Sequence, residues 1–199
     1  MVNLGVDLAI TRTGGMMAPV SFFTGSNRPV RPYYVAPWAE EELEADPPVL
    51  GPLRGDFFCM PFGANAATGG RYTVHGETAT EPWSLVELSE ESGAAYLKLE
   101  LKVSAPASRI TKNIWLRAGE PIIYVQHRIE GGSESVPLGH HATLAPPPTG
   151  RYRISTSRFS FGLTAPRPGG AMVNDDYFAL PPLAEFNRLE EVPTIWKST

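Results

Sequence analysis

The sequence predicts an all-β fold of antiparallel strands, and three observations predict it. First, Tyr96-Leu97-Lys98-Leu99-Glu100-Leu101-Lys102-Val103 places aliphatic residues at every odd position and mostly charged residues between them. A strand sends successive side chains to opposite faces, so this segment has one buried and one wet face. One-sided burial belongs to antiparallel sheets rather than to parallel sheets covered by helices on both faces. Second, Gly 19 and Pro 20 together make 39 of 199 residues, high for a helical chain. Third, segments with helical periodicity are scarce. A chain of 199 residues suits one domain, 1–199, able to bury roughly 70% of its unfolded surface without staples.

Taken in order, Met1 to Ile10 alternates apolar and polar residues. Pro29 to Pro52 is irregular, and within it Trp38 to Ala45 has good helix formers but is short, acidic and stopped by Pro47-Pro48. Arg109 to Leu116 and Pro121 to Glu130 are rich in Ile, Val, Tyr and Thr and predict strands. Gly119-Glu120-Pro121 between them and Gly131-Gly132-Ser133 after them are turn signals, so 109–130 reads as a hairpin. Ala145 to Gly150 is a Pro-rich loop, Tyr152 to Phe159 predicts another strand, and Leu183 to Glu191 predicts a short helix. No repeat of solenoid or propeller length is present.

Lys plus Arg is 17 and Asp plus Glu is 21, giving a charge of −4. Nucleic-acid binding is not expected, because tracking phosphates needs a clustered positive stripe. The single Cys59 excludes a disulfide framework and a cysteine zinc finger. No apolar run approaches the roughly 20 residues of a membrane helix, and the start lacks the basic and apolar regions of a secretory signal. A soluble, cytoplasmic protein is expected. Neither a P-loop, a G-x-G-x-x-G fingerprint nor a G-x-S-x-G elbow occurs.

The chemistry-bearing residues concentrate between Leu53 and Trp83, where Arg54, Asp56, Asn65, Arg71, His75, Glu77 and Trp83 lie among glycines and aromatics. Aromatic faces stack on the C–H faces of sugars, glycine lets backbone approach a ligand, and Arg, Asp, Asn and His supply directional hydrogen bonds. Blander readings compete: Arg54 pairing with Asp56 or Glu77 on the surface, and Trp83 in the core. Of the four histidines, His127 shares the apolar face of Ile123, Val125 and Ile129 and reads as a satisfied core residue. The adjacent His140 and His141 cannot point one way on a strand, so at most one faces a site. His75-x-Glu77 with another histidine would suit a divalent metal in a cupin-like barrel, although no His-x-His accompanies it. A metal-free histidine acid or base is a second reading, and purely structural histidines a third.

Arg54-Gly55, Cys59-Met60-Pro61-Phe62-Gly63, His75-Gly76 and Pro82-Trp83, followed by Val136 through Leu144, resemble in order the short motifs of the galactose mutarotase-like superfamily, which contains aldose 1-epimerases and hexose-6-phosphate epimerase-like proteins. The likeness spans roughly Gly14 to Tyr177. It implies an antiparallel β-sandwich of the supersandwich type and a small carbohydrate as partner. Anomer interconversion would follow, with His141 protonating the ring oxygen and no cofactor. It further implies that His75 contacts sugar hydroxyls, that Arg54 holds substrate or its phosphate, that Trp83 forms a wall, and that His140 takes a variable position beside the acid and contributes to binding. Asn65 and Arg71, singled out by the composition of the segment alone, are expected to contribute to binding as well.

Departures accompany the likeness. Ala142-Thr143-Leu144 replaces the family's Pro-Tyr-Phe, Thr78-Ala79-Thr80 stands where the phosphosugar branch carries an arginine, and Glu185, Glu190 and Glu191 match no late catalytic-glutamate motif. These departures imply a fold incomplete at its C-terminal end, as in a truncated form of a longer parent, or a lost base. They leave a sugar-binding module without turnover, a metal-dependent cupin-like enzyme and an assembly role as alternatives. Uncovered strand edges would favour a homodimer.

Overall fold

A computed structural model describes residues 5–41, 44–63, 69–91, 93–104, 106–145, 154–164 and 180–192. The contacts within it divide the chain into two compact units, Met1–Pro147 and Pro148–Thr199.

The first unit is a β-sandwich. Its longest strands follow from the alternation seen in the sequence: β5 (Ala94–Ser104) buries Leu97, Leu99, Leu101 and Val103 on one face. β6 (Ala107–Leu116) pairs with it antiparallel over its whole length, Leu97 opposite Ile114 and Leu101 opposite Ile110. β7 (Ile123–Gly131) pairs with β6, so the hairpin expected over 109–130 is present. β4 (Ser84–Glu91) completes the sheet on the other side, giving the order β4-β5-β6-β7. Facing it is a second antiparallel sheet, β1 (Val6–Ile10), β2 (Met17–Phe22), β3 (Asp56–Cys59) and β8 (Gly139–Ala142), in that order. Val6, Leu8, Met17, Val20, Phe58 and Met60 from this sheet pack with Leu97, Leu99, Leu101, Ile110, Ile114 and Leu116 from the other as one core. Burial of such side chains, each worth about 1.5–3 kcal/mol, is the main force holding the layers together.

The outer face of the β1–β8 sheet is not left wet. Phe57 and Cys59, the odd residues of β3, pack there with Met16, Val49 and Ala79 under the segments around residues 48–53 and 76–83. Burial beside the Asp56 carboxylate pushes the Cys59 thiol up to about 12, which makes it an inert packing group.

β4 departs from simple alternation. A bulge between Leu85 and Glu87 lets Leu85 pair with Leu99 and Leu88 with Leu97, so both leucines point to the core side. Both remain largely uncovered, 62% and 54% exposed, because nothing lies over this edge of the sandwich among the described residues.

In the second unit, β9 (Gly162–Leu163) pairs with β10 (Glu185–Phe186), and Phe159 meets Phe186 edge-on at 6.0 Å. The strand expected at 152–159 does not form over 154–159. Its alternation has no partner ladder, and Ile154 is exposed. The helix expected at 183–191 is instead β10 and one 3-10 turn, Leu189–Glu191. Leu183 has positive φ, and the Ala184 N–H is shared between Thr164 Oγ1 at 2.8 Å and the Pro181 carbonyl at 3.3 Å, a single turn that no helix continues. In the helix expected at 38–45, residues 37–40 form only turns, the Arg54 guanidinium holding the Ala39 carbonyl; residues 42–43 lie outside the described set. No described helix is long and apolar enough to cross a membrane.

Candidate functional site

The site is built where β3 and β8 run side by side. Their register sets Phe57 opposite His141 and Phe58 opposite His140. Period-two alternation therefore sends the two histidines to opposite faces of the sheet, as an adjacent pair on a strand requires.

His141 goes to the outer face, where its ring stacks on Phe57 at 4.8 Å. His75 arrives there from the turn after residue 70. The two imidazole centroids lie 4.9 Å apart, edge to face, and Phe62 covers both at 5.3 and 6.3 Å. Two local features make this convergence. Gly76, at φ +76°, lets the turn press against the end of β3: a Cβ there would sit 1.9 Å from the Met60 carbonyl oxygen. Gly139 leaves the room on β8 that the Phe62 ring occupies, since a Cβ would lie 2.7 Å from it.

His75 itself has φ +64°, uncommon for a non-glycine residue. It is held by Gly63 on both sides: its own N–H donates to the Gly63 carbonyl at 3.0 Å, and the Gly63 N–H donates to Nδ1 at 3.2 Å. An Nδ1 that accepts carries no proton, so the neutral ring is inferred to bear its proton on Nε2. Burial, with the neighbouring His141 adding to it, lowers the His75 pKa to about 4, so the ring is neutral near pH 7. Among the described residues, His141 Nδ1 is buried with no hydrogen-bond partner, and neither ring's Nε2 is hydrogen-bonded or among the buried unpartnered atoms. Two unsatisfied nitrogens, held by aromatics and open to water, can donate to and exchange protons with a polyhydroxy ligand. No carboxylate hydrogen-bonds to either ring among the described residues.

His140 goes to the inner face and pairs through Nδ1 with Asp56 Oδ2 at 2.9 Å. It lies 5.0 Å from His127, which stacks on Phe58 at 4.2 Å. His127 is a core-side residue as expected, but its Nε2 is buried without a partner among the described residues. Burial, helped by Lys112 and His140, lowers its pKa to about 2. Lys112, opposite His127 in the ladder, is fully buried. Its ammonium donates to the Gly15 carbonyl and sits 5.0 Å over the Trp83 ring. Burial lowers its pKa to about 8 despite the Asp56 carboxylate. The signal for this group was a lysine on the apolar face of Ile110, Ile114 and Leu116.

The remaining residues predicted for the site lie elsewhere. The Arg54 guanidinium is buried and bonded to Glu40 Oε1 at 2.6 Å and to the Ala39 carbonyl, tying down the 36–40 turn. Neither Asp56 nor Glu77 is its partner. Trp83 is 2% exposed, and its indole N–H donates to the Thr78 carbonyl at 3.0 Å, a core position. Arg71 is an exposed residue paired with Glu134 at 2.6 Å, and Tyr72 donates to the other oxygen of that carboxylate. Asn65 lies outside the described residues. Glu77 does not share a strand face with His75: it opens a 3-10 turn, Glu77–Ala79, and its carboxylate accepts from the Ser104 N–H and hydroxyl. Among the described residues no three His, Cys, Asp or Glu side chains lie close enough to hold a metal ion.

No protein-family model, no curated protein and no solved structure matches the chain.

Proposed function

We propose that this protein binds a small carbohydrate at the His75–His141 pair and interconverts its anomers, in the manner of a galactose mutarotase-like sandwich. The observation that carries the reading is the meeting of two imidazoles, distant in sequence, at 4.9 Å under an aromatic side chain. In this reading His141 gives a proton through Nε2 to the ring oxygen. The bond from that oxygen to the anomeric carbon breaks, and the anomeric hydroxyl loses its proton to water. Rotation about the neighbouring C–C bond and reclosure then yield the other anomer, with the reverse proton transfers restoring the histidine. His75, neutral and fixed by Gly63, donates a hydrogen bond from Nε2 to a sugar hydroxyl.

The test is anomer exchange followed by NMR on freshly dissolved aldoses. Exchange faster than buffer is expected, falling about 10²–10⁴-fold in His141→Gln. His75→Asn, which tolerates positive φ, should weaken binding while leaving the turn intact. Exchange no faster than buffer with every aldose would reject turnover. A second reading, a sugar-binding module without turnover, is favoured because no carboxylate among the described residues is bonded to either ring. Ring shifts on titration without accelerated exchange would select it.

A further inference from the structure

The uncovered edge of the sandwich forms a groove of about 730 Å³ between β1 and β4, lined by neither His75 nor His141. Its size falls in the range of small-molecule sites. Leu8 and Ile10 line one wall, Leu85 and Leu88 the other, and Leu97 and Leu99 the floor, with Trp83 at one end. The β4 bulge turns two largely exposed leucines toward the core side, where no described side chain covers them. Among the described residues the lining carries a single formal charge, Arg12. Arg12 is exposed, and among the described residues it has no ion-pair partner and no carboxylate lines the groove.

We propose that this groove binds a free long-chain carboxylate, its alkyl chain along the leucines and its head on Arg12. Charge complementarity selects this occupant. A second copy pairing edge to edge would gather Glu87, Glu90 and Glu91 of both β4 strands on adjacent strands, which is unfavourable. A basic peptide drawn to those glutamates would bring its charge toward Arg12. Each methylene of an apolar chain buried here should tighten binding about fourfold, so affinity should rise steeply with chain length.

The experiment titrates the full chain with dodecanoate below its micellar concentration, read by calorimetry and by leucine methyl NMR. Butyrate and dodecyltrimethylammonium serve as controls, the first lacking the chain and the second reversing the head. Saturable 1:1 binding is expected, with shifts at Leu85, Leu88, Leu97 and Leu99. About tenfold weaker binding is expected for the cationic amphiphile and for Arg12→Gln, whose side chain is exposed and so carries no core packing to lose. Absence of saturable binding overturns the proposal. So does equal affinity for both head groups, which would mean adsorption to apolar surface alone. Shifts that follow protein concentration without ligand overturn it too, marking the groove as a self-association face.

Discussion

At the scale of single residues, the site depends on backbone conformations that side-chain chemistry does not announce. His75 presents its ring to His141 only because Gly76 takes positive φ against the Met60 carbonyl and Gly63 brackets the imidazole. Gly76→Ala should therefore cost about 3 kcal/mol, through a strained φ and a Cβ overlapping backbone that cannot yield. A urea titration measures it, and a loss below about 1 kcal/mol would mean the turn is not pressed against β3 as described. That His75-Gly76 is special was legible from the glycine alone. The clamp by Gly63 was not, because a hydrogen bond from a loop amide to a ring nitrogen has no sequence pattern. Arg54 illustrates the opposite error. Its chemistry suits an anion or a hydroxyl, yet its guanidinium is spent on Glu40 and on the carbonyl of a turn in a loop that carries no regular signal.

At the scale of elements, the two sheets divide their labour by register. β5 and β6 pair over ten successive positions and bury one continuous face, so they should be the most protected from hydrogen exchange. β4, bulged and uncovered, should exchange early. Side-chain truncation should show the same contrast. Ile114→Ala, at 1% exposure in the middle of the core, should cost about 2–5 kcal/mol. Leu85→Ala, on the uncovered edge, should cost under about 1 kcal/mol. Thermal denaturation of the pair decides it, and equal losses would mean that the β4 edge is covered in solution. The β5–β6–β7 meander was readable because one-sided burial imposes period two on the sequence. β3 was hidden because it is buried on both faces, Phe57 and Cys59 outward and Phe58 inward, and continuous apolar character has no period.

For the whole molecule, acid sensitivity follows from two histidines kept neutral by burial. The pKa is lowered to about 4 for His75 and to about 2 for His127, against an ordinary 6.5. Between these values and 6.5 the unfolded chain binds protons that the folded chain refuses. The stability held above pH 6.5 is therefore lost progressively as pH falls, down to about 4 for the part held by His75 and further for the part held by His127. Allowing for the partial exposure of both rings, the loss from pH 7 to pH 5 should be about 2 kcal/mol. Urea midpoints at the two pH values measure it, and His127→Gln should remove a large part of the difference. A midpoint independent of pH over this range would mean that neither ring is desolvated in the folded state.

By itself the sequence determined the all-β class, the meander of long strands, the segregation of His140 from His141, and the core-side position of His127. Each follows from alternation along one strand, a local rule. Only the tertiary structure decided which distant residues meet: His75 with His141, His140 with Asp56, and Lys112 with Trp83. It also decided that Arg54 and Trp83 serve the scaffold and that a groove opens between β1 and β4. Those outcomes depend on inter-strand register and on how two sheets close over one another. They are set by packing and by the pairing of buried polar groups across long sequence separations, where a single chain carries no periodic trace.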